Sequence, residues 1–519
     1  MTDRAITKAN PPRKACHTCR RRRVKCDLGS PTCKRCYTAG IDCLGYGKLI
    51  LWVDGVASRG KMMGKSFDQQ RPQDTTRGAM CHTRRQHELL RNSLFTARRQ
   101  GTEAMTLPSA LPDPFCHQFS PNVRFYLNHF FTVVTKDLVI YHEPNRKWNP
   151  FHALYQFTQG SPVLFYIIIA MSSYHLYNLV PIKDQVSNRL IDALSAKDKA
   201  LRLLAVGLTD LNPSNSTVLL TASMLLLDFD LLESGRDTWC IHLDAAKRLV
   251  TSTSPSLLAV TATDDPEESS FRRWVITNIV LQDIVGSTLC GATSNCDLYG
   301  LFAQEVEIDE SLRFAEANHY LSCPSEISKV IALASSIRTK SLEHSKLSEP
   351  NDTYVRLLAS VQSFDPTDWV MQLQSLVPFD NCELRCCVGS AYKAAAALYI
   401  SRMLPDEYLH NYSQEERDAL VHEILELISC VPYESDLFKA TIWPCYIAGA
   451  EATDPFVRLR VITHLQMVGK LIPWNTTYSA LEALEAVWKR VDQSEFDNSA
   501  GSKNWLKAFL DLRQSIFAG

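Results

Sequence analysis

The sequence predicts a small, metal-folded N-terminal module followed by a large all-α domain. Six cysteines recur at regular intervals within the first 43 residues, and this repeat predicts the module. From about residue 115 onward, apolar residues recur with helical spacing, whereas strand-like alternation and hairpin-turn dipeptides are scarce. These patterns favour one compact metal centre and a helical body.

The two parts differ in charge. Residues 1–100 contain 22 Lys and Arg against 7 Asp and Glu, whereas the remaining residues contain 33 basic and 49 acidic side chains. A basic head on an acidic body indicates that only the head meets a polyanion such as nucleic acid. The alternative is a solvated basic tail without a partner. At 519 residues, the chain is long enough for two or more domains.

Composition divides the chain into four segments. We expect a disordered tail at 1–12, the metal module at 13–46, a basic linker at 47–114 and the all-α domain at 115–519. Residues 79–99 have the composition of a basic helix, but they lack the three or more heptads of a coiled coil. The sequence therefore leaves open a monomer or a homodimer formed by the body.

The cysteines repeat with an offset of 17 residues, each half reading Cys-x2-Cys-x6-Cys. Zinc prefers four ligands in a tetrahedral array, so two ions need about eight ligand positions. Six sulfurs satisfy that need only if two of them bridge both ions. A segment of this size cannot fold around its own apolar core, so the metal must supply the folding energy. The sequence thus predicts two Zn²⁺ ions held by Cys16, Cys19, Cys26, Cys33, Cys36 and Cys43.

Three other uses of these cysteines are open. They could form three disulfides, but the N-terminus has no apolar signal segment, which favours a reducing compartment. A redox Cys-x-x-Cys needs a βαβ context that the sequence does not predict. A single zinc finger with two spare cysteines would ignore the repeat.

The motif running from Cys16-His-Thr-Cys19 through the basic run to Cys26-Asp27, with Cys33, Cys36 and Cys43 following, resembles the fungal binuclear zinc cluster DNA-binding domain. The resemblance implies that each half forms a short helix and that a loop carrying Pro31 joins the halves. It implies that Cys16 and Cys33 are the bridging ligands. It also implies that the first helix enters the major groove of DNA, typically over a CGG triplet.

The same resemblance assigns roles to the basic run. Arg22 and Arg23 occupy the family's base-reading positions, and Arg can bond bidentately to guanine. The family often has Lys at both positions, whereas this chain has Arg at both, and the sequence does not fix the detailed contact geometry. Contacts to phosphate are expected from five cations: Arg13, Lys14, Arg20, Arg21 and Lys25. The alternative is that the run binds phosphate alone or acts as a nuclear import signal.

The body is predicted to be helical throughout. Periodicity indicates helices at 123–134, 192–208, 216–232, 239–250, 272–289, 325–345, 352–362, 383–403, 414–430, 454–470 and 477–492. The most apolar run, 163–171, is too short to cross a bilayer, which needs about 20 residues. It is therefore expected to be a buried helix, and no membrane partner is predicted.

The body resembles the second type of fungal transcription-factor regulatory domain. The resemblance rests on Tyr126-Leu-Asn-His-Phe130, Asn149-Pro-Phe151, Trp239-x-x-His242-Leu243 and a segment from Trp443 to Ala452. The candidate catalytic residues are His242, Glu451 and the pair His422-Glu423, which lacks the second histidine of a metalloprotease helix. No phosphate loop, nucleophile elbow or dinucleotide fingerprint is present. His242 is interpreted as a core histidine, and Glu451 as a residue that caps or pairs inside the bundle. No enzyme activity is predicted.

Three acidic patches are candidates for recruiting transcription machinery: 228–233, 264–268 and 305–310. The favoured interpretation of such patches is a solvated helix face or loop. Together, the metal module and the helical body predict a nuclear, sequence-specific regulator of RNA polymerase II transcription that binds double-stranded DNA. The alternatives are a non-specific nucleic-acid or chromatin-associated zinc protein, and an enzyme carrying a zinc module.

Overall fold

The computed structural model describes two compact units, Met1–Glu88 and Leu89–Gly519. Its described residues are 15–29, 32–39, 43, 119–140, 150–180, 187–236, 238–257, 266–288, 306–343, 350–376, 379, 381–403, 413–494, 504–511 and 517. The expected tail 1–12, the linker 47–114 and its helix at 79–99 lie outside these residues. The four predicted segment boundaries therefore stay predictions.

The first unit contains two one-turn helices, α1 (His17–Arg21) and α2 (Lys34–Thr38). The second unit is built from further helices: α3 (Pro121–His129), which runs through a π-helical turn (Phe130–Val134) into α4 (Thr135–Asp137), then α5 (Pro150–Gly160), α6 (Pro162–Asn178), α7 (Ser187–Thr209), α8 (Pro213–Glu233), α9 (Trp239–Leu257), α10 (Pro266–Ser287), α11 (Val306–Asn318), α12 (Ser325–Glu343), α13 (Pro350–Ser363), α14 (Pro366–Leu376), α15 (Cys382–Ser401), α16 (Gln414–Ser429), a 3₁₀ turn (Asp436–Thr441), α17 (Ile442–Glu451), α18 (Pro455–Leu471), α19 (Thr476–Ser494) and α20 (Trp505–Asp511). Among the described residues, β-structure is confined to one isolated bridge between Val139 and His319. The predicted all-α body is confirmed.

Local sequence explains where many of these helices begin. Proline occupies the first turn of α3, α6, α8 and α18, where its missing N–H costs nothing. Asn212 and Asn215 form a reciprocal capping box on α8, and Ser413 and Glu416 do the same on α16. Gly235 ends α8 with φ +65°, and a Cβ there would lie 2.2 Å from Thr476 Oγ1. That position therefore requires glycine.

The core of the second unit is formed by helices that are apolar on most faces. In α6 the predicted buried run Val163–Met171 is helical, and most of its side chains are buried. It packs against α7 and α8, while α15 packs against α16 and α17. Within the described residues, Asn215–Glu233 of α8 is long and apolar enough to span a membrane by length and composition, but 89% of that window is buried inside the domain. A core helix of a soluble domain has the same character.

The buried carboxylate of Glu451 is paired inside this core. Glu451, at 2% exposure, accepts bonds from Arg402 Nε at 2.7 Å and Trp505 Nε1 at 2.9 Å, and Arg417 Nε lies 3.2 Å from its Oε1. This carboxylate therefore links the end of α15 to α16 and α20. The expectation that Glu451 pairs inside the bundle is confirmed.

The prediction that the acidic patch at 228–233 is a docking surface is wrong. Asp228 and Asp230 are 1% and 0% exposed because α8 lies in the centre of the domain. Lys197 Nζ on α7 lies 2.7 Å from both Asp230 Oδ1 and Glu233 Oε2. These carboxylates are internal structural groups. The patches at 264–268 and 305–310 fall largely outside the residues whose side chains are described.

Asp228 and Asp230 contrast within one helix. Gln282 Nε2 donates to Asp228 Oδ1 at 2.6 Å, whereas Asp228 Oδ2 has no hydrogen-bond partner among the described residues. Burial raises the pKa of Asp228 to about 7, against a weaker opposing effect of the Gln282 bond. Because the pKa of Asp228 is higher in the folded protein than in the unfolded chain, the protonated carboxyl contributes its stabilisation in acid. The folded protein loses this stabilisation as the pH rises through about 7 and Asp228 ionises.

We therefore predict that Asp228→Asn stabilises the body at pH 8 and has little effect near pH 4. The gain should be on the order of 2–4 kcal/mol, because asparagine keeps the acceptor for Gln282 but never ionises. Asp230→Asn is the matched control and should be destabilising at pH 8, since it breaks the ion pair with Lys197. Urea unfolding followed by helical circular dichroism at both pH values measures these differences. An Asp228→Asn effect that is equal at both pH values would contradict the prediction.

Candidate metal centre and nucleic-acid interface

The 17-residue cysteine repeat is also a structural repeat. Cys16 is the N-cap of α1, and its Sγ accepts the Cys19 N–H at 3.3 Å. Cys33 is the N-cap of α2, and its Sγ accepts the Cys36 N–H at 3.3 Å. Each Cys-x2-Cys pair therefore places two sulfurs on one side of a single helical turn. Such short helices do not form alone in water, so they need the cluster to hold them.

The six sulfurs converge into two overlapping groups of four. One contains Cys16, Cys19, Cys26 and Cys33, and the other contains Cys16, Cys33, Cys36 and Cys43. Within each group, all Sγ atoms lie within 4.8 Å of one another. The groups share Cys16 and Cys33, the two positions expected to bridge. In the described residues, no other cluster of metal-binding side chains meets the same criterion.

The distances fit zinc rather than disulfides. Cys16 Sγ lies 3.6 Å from Cys33 Sγ and 3.8 Å from Cys36 Sγ. Cys19 Sγ lies 3.6 Å from Cys33 Sγ. A disulfide requires about 2.05 Å. A tetrahedron with Zn–S bonds of about 2.3 Å has sulfur–sulfur edges of about 3.8 Å. The donor set and its size therefore suit Zn²⁺.

The four cysteines of the two Cys-x2-Cys pairs are almost completely buried. Cys16 and Cys33 are 0% exposed, and Cys19 and Cys36 are 1% exposed. Burial raises the pKa of the thiols of Cys16, Cys33 and Cys36. The bare cluster therefore retains protons at neutral pH, and metal binding must displace them. The cysteines are the core of this unit, with Val24 packed against them.

Asp27 ties the two halves together, a role that the sequence motif did not reveal. Its carboxylate accepts the Lys34 N–H at 2.9 Å and the Arg35 N–H at 3.0 Å, at the start of α2. These two bonds lower the pKa of Asp27, the bond from Arg35 most strongly. A negative charge at a helix N-terminus is favourable because free N–H groups point toward it. The sequence feature that could have indicated this role is the position of Asp27 directly after the ligand Cys26.

The basic run ends α1 in a Schellman turn. The Val24 N–H bonds to Cys19 O at 3.0 Å, and the Arg23 N–H bonds to Arg20 O at 3.2 Å. Arg22 is the C-cap, and Arg23 has φ 56°, in the left-handed region. Glycine usually occupies that position. The apolar Val24 then returns the chain to the sulfur core, so the helix ends with Arg22 and Arg23 exposed.

The predicted DNA-contacting residues are partly within the described chain. Arg20, Arg22, Arg23 and Lys25 are exposed around the C-terminal end of α1. Arg21 lies in α1, but its side chain is not among those described, and Arg13 and Lys14 lie outside the described residues. The four exposed cations surround a helix end that carries a partial negative charge. They form a compact positive surface beside the metal ligands.

The candidate catalytic residues of the body do not assemble a site. His422 and Glu423 are exposed on α16. His242 Nε2 lies 3.6 Å from the buried Asp230 Oδ2. Burial lowers the pKa of His242, against an opposing effect of the Asp230 carboxylate. These positions are those of a structural histidine and two surface residues.

Two family models match the chain. The fungal Zn(2)-Cys(6) binuclear cluster domain matches residues 14–50, and the fungal specific transcription factor domain matches residues 125–519. The acriflavine sensitivity control protein acr-2 of Neurospora crassa is 28% identical, and the match covers 95% of each chain. The phomenoic acid biosynthesis cluster-specific transcriptional regulator of Leptosphaeria maculans is 22% identical over 93% of this chain and 88% of its own length.

A further similarity covers only a short segment of the chain. The pestheic acid cluster transcriptional regulator 3 of Pestalotiopsis fici is 48% identical over 9% of this chain and 8% of its own length. No solved structure matches the chain. The likeness to curated proteins thus covers both the metal centre and the helical body.

The left-handed backbone conformation of Arg23 leads to a prediction about zinc binding by the head. We expect Arg23→Gly to hold zinc at least as tightly as the natural protein, with a gain of up to about 1 kcal/mol, because glycine relieves the steric cost at φ 56°. Arg23→Ala is the matched control, since it removes the same side chain without relieving that cost. Zinc release to a chromophoric chelator measures both. Faster release from the glycine variant than from the alanine variant would contradict the prediction.

Proposed function

The chain belongs to the family of fungal Zn(2)-Cys(6) transcription regulators, and we propose that it reads CGG-type triplets in the major groove through Arg22 and Arg23. Members of this family bind DNA, bind zinc and regulate transcription; they are not enzymes. We further propose that the site of action is the nucleus. The observation that carries the proposal is the exposed cation surface at the end of α1, placed directly beside two four-sulfur groups.

Two zinc ions are proposed as the occupants of those groups, with Cys16 and Cys33 as shared ligands. The sharing of these two residues between the four-sulfur groups supports this assignment. Bound zinc supplies the folding energy of the head, on the order of 10 kcal/mol or more for a structural site. Six thiolates and two divalent ions leave a net charge of about −2, which the surrounding arginines and lysines offset.

The chain's own residues perform the recognition. The Schellman turn directs Arg22 and Arg23 away from the sulfur core, and both are exposed. A guanidinium can donate two parallel bonds to guanine O6 and N7, which discriminates bases by about 1–3 kcal/mol. Arg20 and Lys25 flank this pair and are proposed to bind phosphates, as are Arg13, Lys14 and Arg21.

The second half of the head supports this orientation. Lys34 and Arg35 stand at the start of α2, where their backbone N–H groups are used by Asp27. Tyr37 is 83% exposed, and the rest of that half carries little charge. The first half therefore offers the stronger attraction for the DNA backbone, and α1 is the element proposed to face it.

We predict that measurements of duplex affinity at several salt concentrations distinguish base-reading residues from phosphate-binding residues. In the zinc-loaded full-length protein, Arg22→Ala or Arg23→Gly should lower affinity for a CGG duplex by about 5- to 150-fold, corresponding to 1–3 kcal/mol, and reduce the preference over a scrambled duplex. Arg20→Ala or Lys25→Ala should weaken both duplexes equally and lower the salt slope by about 1. Fluorescence anisotropy at several salt concentrations measures all four variants.

Two outcomes would contradict the proposal. If the natural protein binds both duplexes equally, the chain is a non-specific nucleic-acid-binding zinc protein. If Arg22→Ala and Arg23→Gly weaken both duplexes to the same extent, those residues read no base. Zinc content measured on each sample ensures that a loss of binding reflects the contact and not loss of the fold.

A further inference from the structure

Helices α15 and α16 carry cysteines at or near the protein surface, away from the metal centre. Cys386 and Cys387 lie in the second turn of α15 and are half-buried, and Cys430 is the exposed C-cap of α16. Two other described cysteines of the body, Cys323 and Cys445, are buried in its core. An oxidant dissolved in water therefore reaches Cys430 more easily than those core thiols.

The two adjacent cysteines of α15 face different helices. Consecutive residues of an α-helix point in directions that differ by about 100°. Cys386 Sγ lies 3.7 Å from Thr367 Oγ1 on α14. The thiol of Cys387 interacts instead with the thiol of Cys430 on α16. Cys387 is therefore the residue that meets Cys430 across the contact between the two helices.

Helix packing explains why these two thiols meet. Helices α15 and α16 follow each other in the chain and pack against each other. The end of α15 and the start of α16 meet at Glu451, whose carboxylate binds Arg402 and Arg417. Cys387 lies about 22 Å before Arg402 along α15, and Cys430 lies about 20 Å after Arg417 along α16. An antiparallel helix pair thus places both thiols level with each other, at the end remote from Glu451.

The two thiols differ in their surroundings. Burial raises the pKa of Cys387, and the neighbouring Cys430, Cys386 and Glu383 raise it further. A raised pKa keeps a thiol protonated at neutral pH and makes it a poor nucleophile toward a dissolved oxidant. Cys430 is exposed at the end of its helix. Cys430 is therefore the thiol that an oxidant meets first, and Cys387 lies beside it to react second.

We propose that Cys387 and Cys430 are a redox modification site, which hydrogen peroxide converts into a reversible disulfide between α15 and α16. The Cys430 thiolate attacks one peroxide oxygen and becomes a sulfenic acid, and the released hydroxide takes up the proton that Cys430 gave up. The Cys387 sulfur then attacks the Cys430 sulfur, and the sulfenic oxygen leaves as water with the proton of Cys387. The two thiols together lose two hydrogens and two electrons, and one peroxide is reduced to two waters.

Such a disulfide is compatible with a compartment that keeps most thiols reduced. Disulfides that form there are usually transient and redox-sensing, and a dithiol reductant reverses them by exchange. The link joins residues 43 apart and fastens the end of the α15–α16 pair that Glu451 does not hold. The site lies in the body, so it does not depend on how the head reads DNA.

The first test maps the cysteines of the full-length, zinc-loaded protein after treatment with hydrogen peroxide. Mass spectrometry of a digest made without reductant should show a peptide pair joined through Cys387 and Cys430, which dithiothreitol separates. Cys240→Ser is the matched control and should leave this pair in place, because Cys240 is also half-buried but lies on α9. Since the mapping identifies the linked residues directly, oxidation of the cysteines in the head does not obscure the result.

The second test establishes which thiol reacts first. In Cys387→Ser, peroxide should leave Cys430 as a sulfenic acid, which dimedone should trap at least about tenfold more than in the natural protein. In Cys430→Ser, Cys387 should remain a thiol under the same exposure. Serine replaces only the sulfur atom, and circular dichroism of each variant checks that helix content is kept.

The third test measures what the link does to the body. The oxidised natural protein should unfold at a higher urea concentration than the reduced protein, with an unfolding equilibrium constant lower by about 30-fold or more, because a disulfide restricts the unfolded chain. Cys430→Ser should show no such difference between the two treatments. Helical circular dichroism follows the unfolding.

Each test has a result that would overturn the proposal. The first is the absence of the Cys387–Cys430 peptide pair at every peroxide exposure, or a pair that joins Cys430 to a different cysteine. The second is equal trapping of Cys430 by dimedone in the natural protein and in Cys387→Ser, since Cys387 would then not react with the sulfenic acid. The third is an oxidised protein that unfolds at the same urea concentration as the reduced one.

Discussion

The convergence of six sulfurs is the constraint on which the N-terminal unit depends. Among the described residues of this unit, the buried side chains are chiefly cysteines, with Val24 packed against them, so these residues include no apolar core that could take the place of the sulfurs. Two one-turn helices, a Schellman turn and an aspartate cap all take their positions from the sulfur atoms. The exposed arginines are held in place only as long as these sulfurs stay together. Metal binding, folding and recognition are therefore one thermodynamic unit in this head.

The helical body is stabilised by different means. Its core is formed by apolar helices such as α6 and α8, and the buried Glu451 in that core is paired with Arg402 and Arg417. Among its described residues, no group of His, Cys, Asp and Glu side chains lies close enough together to hold a metal ion. The described metal-binding set and the exposed cations beside it lie in the N-terminal unit.

The sequence was most informative where the physics is local. The Cys-x2-Cys spacing forces two sulfurs onto one turn, so the four-sulfur groups could be anticipated from the repeat. The left-handed Arg23 and the cap from Asp27 were missed, because a backbone angle and a bond across the two halves are not visible in spacing. The patch at 228–233 was misread because charge composition does not reveal that α8 is central. The bond from Trp505 to Glu451 joins residues 54 apart, beyond any local pattern.

Native mass spectrometry of the full-length protein during stepwise removal of zinc by a chelator, with duplex binding measured on the same samples, tests the central claim most directly. We expect two zinc ions per chain, and we expect duplex binding and the fold of the head to disappear together as the metal is removed. A protein that contains one zinc ion, or that retains duplex binding after all zinc has been removed, would contradict this expectation.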